Sequence, residues 1–255
     1  MTNQDQAKFS RREVLEKTAI AAGVAGAIAV LPRTVSAAQA PKLKKGDTIL
    51  LQGDSITDAG RDRRSQAHAN HPRAMGLGYA MLLGCELLRD HAELGLQIYN
   101  RGISGHKVPD LEKRWQEDCL ELKPRILSIL IGVNDIWHKL NGRYNGSVQD
   151  YETGFAKLLQ RTRKALPHAT FVVCEPFVLR CGAINDKWFP EFDQRRAVAK
   201  KVAMDAGAIW VPFQTMFDKA VETGVEPAYW AREGVHPSMA GHALMAKTWR
   251  EVVGI

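Results

Sequence analysis

Asp47-Thr48-Ile49-Leu50-Leu51-Gln52-Gly53-Asp54-Ser55-Ile56-Thr57-Asp58 decides how the chain is read. Its first half is a short apolar run that reads as a buried strand. The run breaks at Gly53 and Asp54, both turn formers. A serine on a sharp turn just past a strand lies at the carboxyl edge of a sheet, where open α/β folds place their ligands. Ser55 is therefore a candidate nucleophile. Gly-Asp-Ser is also ordinary turn chemistry, so the weight of the motif comes from the segments that follow.

From Pro41 onward short apolar runs alternate with longer amphipathic ones. Strands are expected over 48–52, 96–100, 125–131, 170–174 and 208–211. Helices are expected over 78–90, 110–122, 148–166, 192–206 and 239–252. Such alternation implies right-handed crossovers and a parallel sheet covered on both faces. By analogy with other folds, and not from particular residues, five strands suit a flavodoxin-like order, 2-1-3-4-5. The expected architecture is a three-layer α/β/α domain over 41–255. Between Asp58 and Met75 runs a long polar connection, and a connection of that length leaving the serine turn is expected to line a cleft. His68 and His71 lie three apart within it, but no carboxylate or cysteine completes a metal site.

The chain has 255 residues, with 45% hydrophobic and 25% charged, which is ordinary for a globular protein. Its net charge is +7. Residues 1–40 hold five basic and three acidic side chains, and the remaining excess is spread without a Lys/Arg block. That pattern suits a solvated surface and argues against a nucleic-acid partner. Ser10-Arg11-Arg12 precedes an Ala/Gly-rich apolar run from Thr18 to Leu31, and small residues follow it up to Ala40. The segment resembles a twin-arginine export signal, with cleavage near Ala37 or Ala38. An uncleaved anchor is the alternative, but the run is short for a membrane span. Periplasmic or secreted bacterial localisation is the expectation, with no stable membrane anchor. Cys85, Cys119, Cys174 and Cys181 lack metal-ligand spacing. In an oxidising compartment Cys174 and Cys181 could pair, or all four thiols could stay free.

Three later segments complete a pattern. Tyr99-Asn100-Arg101-Gly102-Ile103-Ser104-Gly105 ends the second expected strand, and a glycine there can let a backbone N–H approach a ligand. Leu130-Ile131-Gly132-Val133-Asn134-Asp135-Ile136-Trp137 ends the third, and a side-chain amide at that place can donate to a developing oxyanion. Glu233-Gly234-Val235-His236-Pro237-Ser238 precedes the last helix, and Pro237 holds His236 extended on a loop. Taken singly, each is also turn or cap chemistry.

Together these four segments resemble the blocks of the SGNH (GDSL-type) hydrolase family, from Leu50 to the C-terminus. The resemblance implies Ser55 as nucleophile and His236 as general base. It also implies an oxyanion hole from the Ser55 N–H, the Gly102 N–H and the Asn134 side chain. It implies neither metal nor cofactor. The family usually carries aspartate three residues before the histidine, and here that place holds Glu233. Glu233 is expected as the triad acid, with a Ser55–His236 dyad as the alternative. Asp54 is expected to brace the turn near the substrate, and His242 to be structural.

Trp137, with Trp188, Tyr229 and Trp230 on later loops, suits stacking on sugar faces. Arg61, Arg63, Arg64 and Arg180 could recognise an acidic group or simply face water. These features favour an esterase that removes short acyl groups, acetyl first, from a small molecule or a polysaccharide. The alternatives are a lysophospholipase or thioesterase-like acylhydrolase, and a glycan-binding protein on the same fold without turnover.

Overall fold

The computed structural model describes residues 40–255. The expected export signal lies outside them. Strands β1 (Thr48–Gly53), β2 (Gln97–Asn100), β3 (Ile126–Leu130), β4 (Thr170–Cys174) and β5 (Ile209–Val211) form one parallel sheet in the order β2-β1-β3-β4-β5. This is the expected order. Ten helices are described: α1 (Ser55–Asp58), α2 (Pro72–Met75), α3 (Tyr79–Asp90), α4 (Val108–Trp115), α5 (Val133–Leu140), α6 (Val148–Ala165), α7 (Glu191–Asp205), α8 (Phe213–Glu222), α9 (Pro227–Trp230) and α10 (Met239–Val253).

Side chains alternate across each strand, so a strand buried on both faces feeds two cores. Ile49 and Leu51 of β1, with Val172 and Cys174 of β4, pack with Tyr79 and Leu83 of α3 and Met245 and Trp249 of α10. Leu50 of β1 and Phe171 and Val173 of β4 pack instead with Leu111 and Trp115 of α4, Phe155 of α6 and Val202 of α7. Each core holds a fully buried tryptophan whose indole N–H is satisfied. Trp249 Nε1 donates to Ser128 Oγ at 2.9 Å, and Trp115 Nε1 donates to Thr162 Oγ1 at 2.8 Å. The large rings can therefore be buried without an orphaned donor.

Beyond the four-residue turns α1, α2 and α9, two longer helices were not foreseen. Helix α5 follows β3 after only Ile131 and Gly132, so its first turn reads as the end of the apolar strand. Gly132 adopts φ +136°, which reverses the chain in that short space. Helix α8 buries Phe213, Met216 and Phe217, a helical spacing that was present to be read. The helix expected over 110–122 is α4 followed by a π-helical turn at Gln116–Leu120. The connection from Asp58 to Met75 is ordered around Asn70. Its side chain donates to Leu96 O at 2.8 Å and accepts from Ile98 N–H at 2.8 Å, while its own N–H donates to Ile98 O at 3.0 Å. All four cysteines are free thiols, and Cys174 lies in the core. Among the described residues no helix is long and apolar enough to cross a membrane.

Two of the buried carboxyl groups near the carboxyl edge of the sheet keep oxygens without a partner. Asp54 is 1% exposed and Asp135 is 0% exposed. Asp54 Oδ2 and both oxygens of Asp135 lack a hydrogen-bond partner. Burial raises Asp54 to about 7, with the Ile56 N–H pulling against it and the Asp135 charge adding to it. Burial likewise raises Asp135 to about 7, opposed by the Arg195 charge. Both values lie above the unfolded carboxylate value of about 4, so the folded chain binds more protons in the window between. Stability therefore falls as pH climbs through that window. Asp135→Asn should flatten the dependence: against wild type, its unfolding free energy from urea titration should gain more than about 1 kcal/mol between pH 5 and pH 8. A difference that stays constant with pH rejects this. In the core, Trp249→Ala should cost about 3–5 kcal/mol in the same measurement, and a loss under about 1 kcal/mol would contradict the packing described.

Candidate active site

The serine turn is built by close backbone packing. A Cβ on Gly53 would stand 2.4 Å from Leu130 O on β3 and 2.4 Å from Thr57 Oγ1, so only glycine fits there. Asp54 caps α1, its Oδ1 accepting from Ile56 N–H at 3.0 Å. Asp54 thus braces the turn from inside the protein. Ser55 opens the helix and stays partly exposed. Its Oγ lies 2.8 Å from His236 Nε2.

His236 sits on the loop before α10, which closes on itself through a bridge between Ala231 and Pro237. Backbone bonds from the connection after β4 hold this loop. Leu179 N–H donates to Gly234 O at 2.8 Å, and Ala183 N–H donates to Glu233 O at 2.9 Å. Gly182 lies so close that a Cβ there would be 2.5 Å from Glu233 Cα. Glu233 Oε1 accepts from the His236 backbone N–H at 2.9 Å and contacts His236 Nδ1 as well. Burial pushes the Glu233 carboxyl up, but these two bonds from His236 outweigh it and hold it below the usual range. The structure thus brings Ser55, His236 and Glu233 into one chain of contacts. The Trp137 ring lies 5.9 Å from the His236 ring and 5.7 Å from that of Trp188, behind the imidazole.

Asn134 occupies the first turn of α5 and is 5% exposed. Its Nδ2 donates to His106 O at 3.2 Å, which leaves a second N–H on the same nitrogen. The Gly102 N–H is engaged elsewhere, donating to Asn100 Oδ1 at 2.9 Å. Gly102 is glycine for space, since a Cβ would lie 2.5 Å from Asp58 N. Gly105, with φ +82°, follows Ser104, a residue of the cleft wall. The N–H groups of Gly105 and Ser55 make no hydrogen bond to any described residue. The sequence reading passed over Gly105, although it closes the segment quoted for Gly102 three residues earlier.

Arg61, expected at the substrate, is placed inside instead. Its side chain is fully buried, with Nε donating to Gly102 O at 2.6 Å and Nη1 to Gln66 Oε1 at 3.1 Å. Arg114 ties the same region from below, with bonds to Arg101 O at 2.7 Å, Asp118 Oδ2 at 2.9 Å and His106 Nδ1 at 3.1 Å. Burial and then the Arg114 charge hold His106 below the ordinary imidazole value. His242 is buried against Tyr79, whose backbone N–H donates to His242 Nδ1 at 3.1 Å. Burial, with the nearby His236, lowers it to about 4. A cleft of about 860 Å³ opens over the serine, walled by Ser55, Ala59, Ser104, Tyr229, Arg232 and His236. A hydroxyl beside an imidazole in an open cleft, with free N–H donors near it, can carry out acyl transfer.

Comparisons with known proteins agree with this chemistry. The pattern of the GDSL-like lipase/acylhydrolase family matches residues 51–244. An acetylxylan esterase of Geobacillus stearothermophilus is 32% identical over 217 residues, which is 84% of this chain and 96% of that protein. Its crystal structure superposes with a TM-score of 0.74 at 32% identity, covering 84% of this chain and 97% of the other. A GDSL-like lipase structure from Parabacteroides merdae ATCC 43184 is nearer, with 48% identity and a TM-score of 0.81 over 84% of this chain and 98% of that one. With the family pattern running from the serine strand into the last helix, and relatives matching almost end to end, this chain belongs to the GDSL-like lipase/acylhydrolase family and is a carboxylic ester hydrolase.

Proposed function

We propose that the protein is a serine esterase that removes short acyl groups, acetyl first, from carbohydrate. The observation that carries this is the contact of Ser55 Oγ with His236 Nε2 at 2.8 Å, with Glu233 on the far nitrogen. Ser55 Oγ attacks the ester carbonyl and its proton passes to His236 Nε2. Glu233 holds the Nδ1–H tautomer and balances the imidazolium. The tetrahedral oxyanion is received by the N–H groups of Ser55 and Gly105 and the Asn134 amide. Gly105 takes the part expected of Gly102, because the Gly102 N–H already has a partner. His236 returns the proton to the departing alcohol, leaving Ser55 acylated. Water then adds to the acyl carbon, giving a proton to His236, and Ser55 recovers it as the carboxylic acid leaves.

Two further points support the assignment. Two solved forms of the Geobacillus enzyme are described as catalytic mutants, one at a histidine and one at an aspartate three residues before it. Glu233 and His236 have that spacing. The acetyl preference rests on the name of that relative. Leu77 and Met239, 87% and 90% exposed at the cleft, favour a second reading, a longer acyl chain on the same machinery. The leader with Arg11 and Arg12 adds that the enzyme acts after export.

Hydrolysis of 4-nitrophenyl esters from acetyl to octanoyl separates the two readings. Activity highest on acetate and abolished by Ser55→Ala supports the first, and a rise with chain length supports the second. Glu233→Gln should lower kcat about 10²-fold or more, and a drop below about threefold would leave only a dyad. Asn134→Ala should lower kcat by about 10²–10³ with KM little changed. A change confined to KM would remove Asn134 from the oxyanion site.

A further inference from the structure

The cleft over Ser55 is lined by one guanidinium, that of Arg232, and by no aspartate or glutamate. Arg232 is exposed and has no ion pair or hydrogen bond with a described residue. The arginines that the sequence singled out are all occupied. Arg61 is buried on Gly102 O, Arg63 lies 3.7 Å from Asp58, Arg64 holds Asp62, and Arg180 holds Asp186. The remaining polar groups of the wall add no negative charge. Ser104 Oγ donates to Asp58 and Ser238 Oγ donates to Tyr229 O. His242 accepts the Tyr79 N–H on Nδ1, so its neutral ring carries the proton on Nε2. His236 takes up a proton, and with it a positive charge, during the reaction. A substrate anion in this cleft therefore meets attraction and no opposing carboxylate in its lining.

Arg232 also has a fixed relation to the reacting centre, because it directly precedes Glu233 in the loop that carries His236. It lines the cleft together with Tyr229 and Met239, both exposed. In the Geobacillus enzyme the residue immediately before the catalytic aspartate is a tryptophan, replaced by isoleucine in one solved form. An indole offers a face to a neutral sugar ring, whereas a guanidinium offers a fork matched to a carboxylate. We propose that Arg232 receives a carboxylate on the alcohol half of the substrate, so that the ester cleaved is an acylated acidic sugar of the uronate type.

The proposal rests on the serine esterase reading, and the experiment separates the two. Acetylated galacturonate oligomers are compared with the same oligomers after methyl esterification of their carboxyls, with 4-nitrophenyl acetate alongside. For wild type, kcat/KM on the free acid should exceed that on the methyl ester by about tenfold at low ionic strength, mostly through KM, and the gap should shrink with salt. Arg232→Ala should bring the ratio to about one, and Arg232→Lys should keep part of it. Using the ratio cancels any general loss in a variant. A wild-type ratio near one or below, a ratio unchanged in Arg232→Ala, or turnover of 4-nitrophenyl acetate with none of either oligomer overturns the uronate assignment alone. No turnover of any ester by the folded protein overturns the esterase reading beneath it.

Discussion

The catalytic edge depends on how closely main chains approach one another at the ends of β1, β2 and β3. At Gly53 a side chain would stand 2.4 Å from Leu130 O, and at Gly102 one would stand 2.5 Å from Asp58 N. These contacts set the serine turn against its neighbours before any catalytic side chain is considered. Arg114 then links the ends of β1 and β2, reaching Arg101 O and His106 after β2 and, at 3.4 Å, Gly53 O on β1. Ser55 and the candidate oxyanion donors are thus parts of one packed unit. Their geometry comes from strands and buried ion pairs, whereas His236 and Glu233 come from a loop clamped on from the other side.

Much of this was legible because parallel strands buried on both faces announce themselves as short apolar runs. Thr170–Cys174 was read to the residue, and the others to within a residue or two. Helix α5 was not legible, since only two residues separate it from β3 and no polar break marks its start. Ser55, His236, Asn134 and Glu233 stood out through order and spacing along the chain. Distinguishing Gly102 from Gly105 needed the hydrogen bond from Gly102 to Asn100, which joins residues two apart and has no periodic signature. Arg61 was misplaced for a related reason. A long charged side chain near a cleft reads as exposed, and only the tertiary structure reveals Asp58, Gln66 and Gly102 O around it.

Glu233 illustrates how a local departure is absorbed. Glu233 presents a single oxygen to both the backbone and the ring of His236. Its main chain is held by Ala183 N–H on one side, and the next carbonyl by Leu179 N–H. Anchoring the backbone rather than the side chain leaves the carboxylate reach as the adjustable part. A longer acid can then occupy the position without moving the histidine loop as a whole.

The connection from Asp58 to Met75 does more than leave the serine turn. Through Asn70 it satisfies Ile98 N–H and Leu96 O on the outer side of β2, the terminal strand of the sheet. An uncovered strand there would be a template for pairing with another chain. The segment that begins at the serine turn is therefore also a guard against intermolecular strand addition. Loop shortening aimed at widening the cleft would carry a cost in solubility that no inspection of the catalytic residues would reveal.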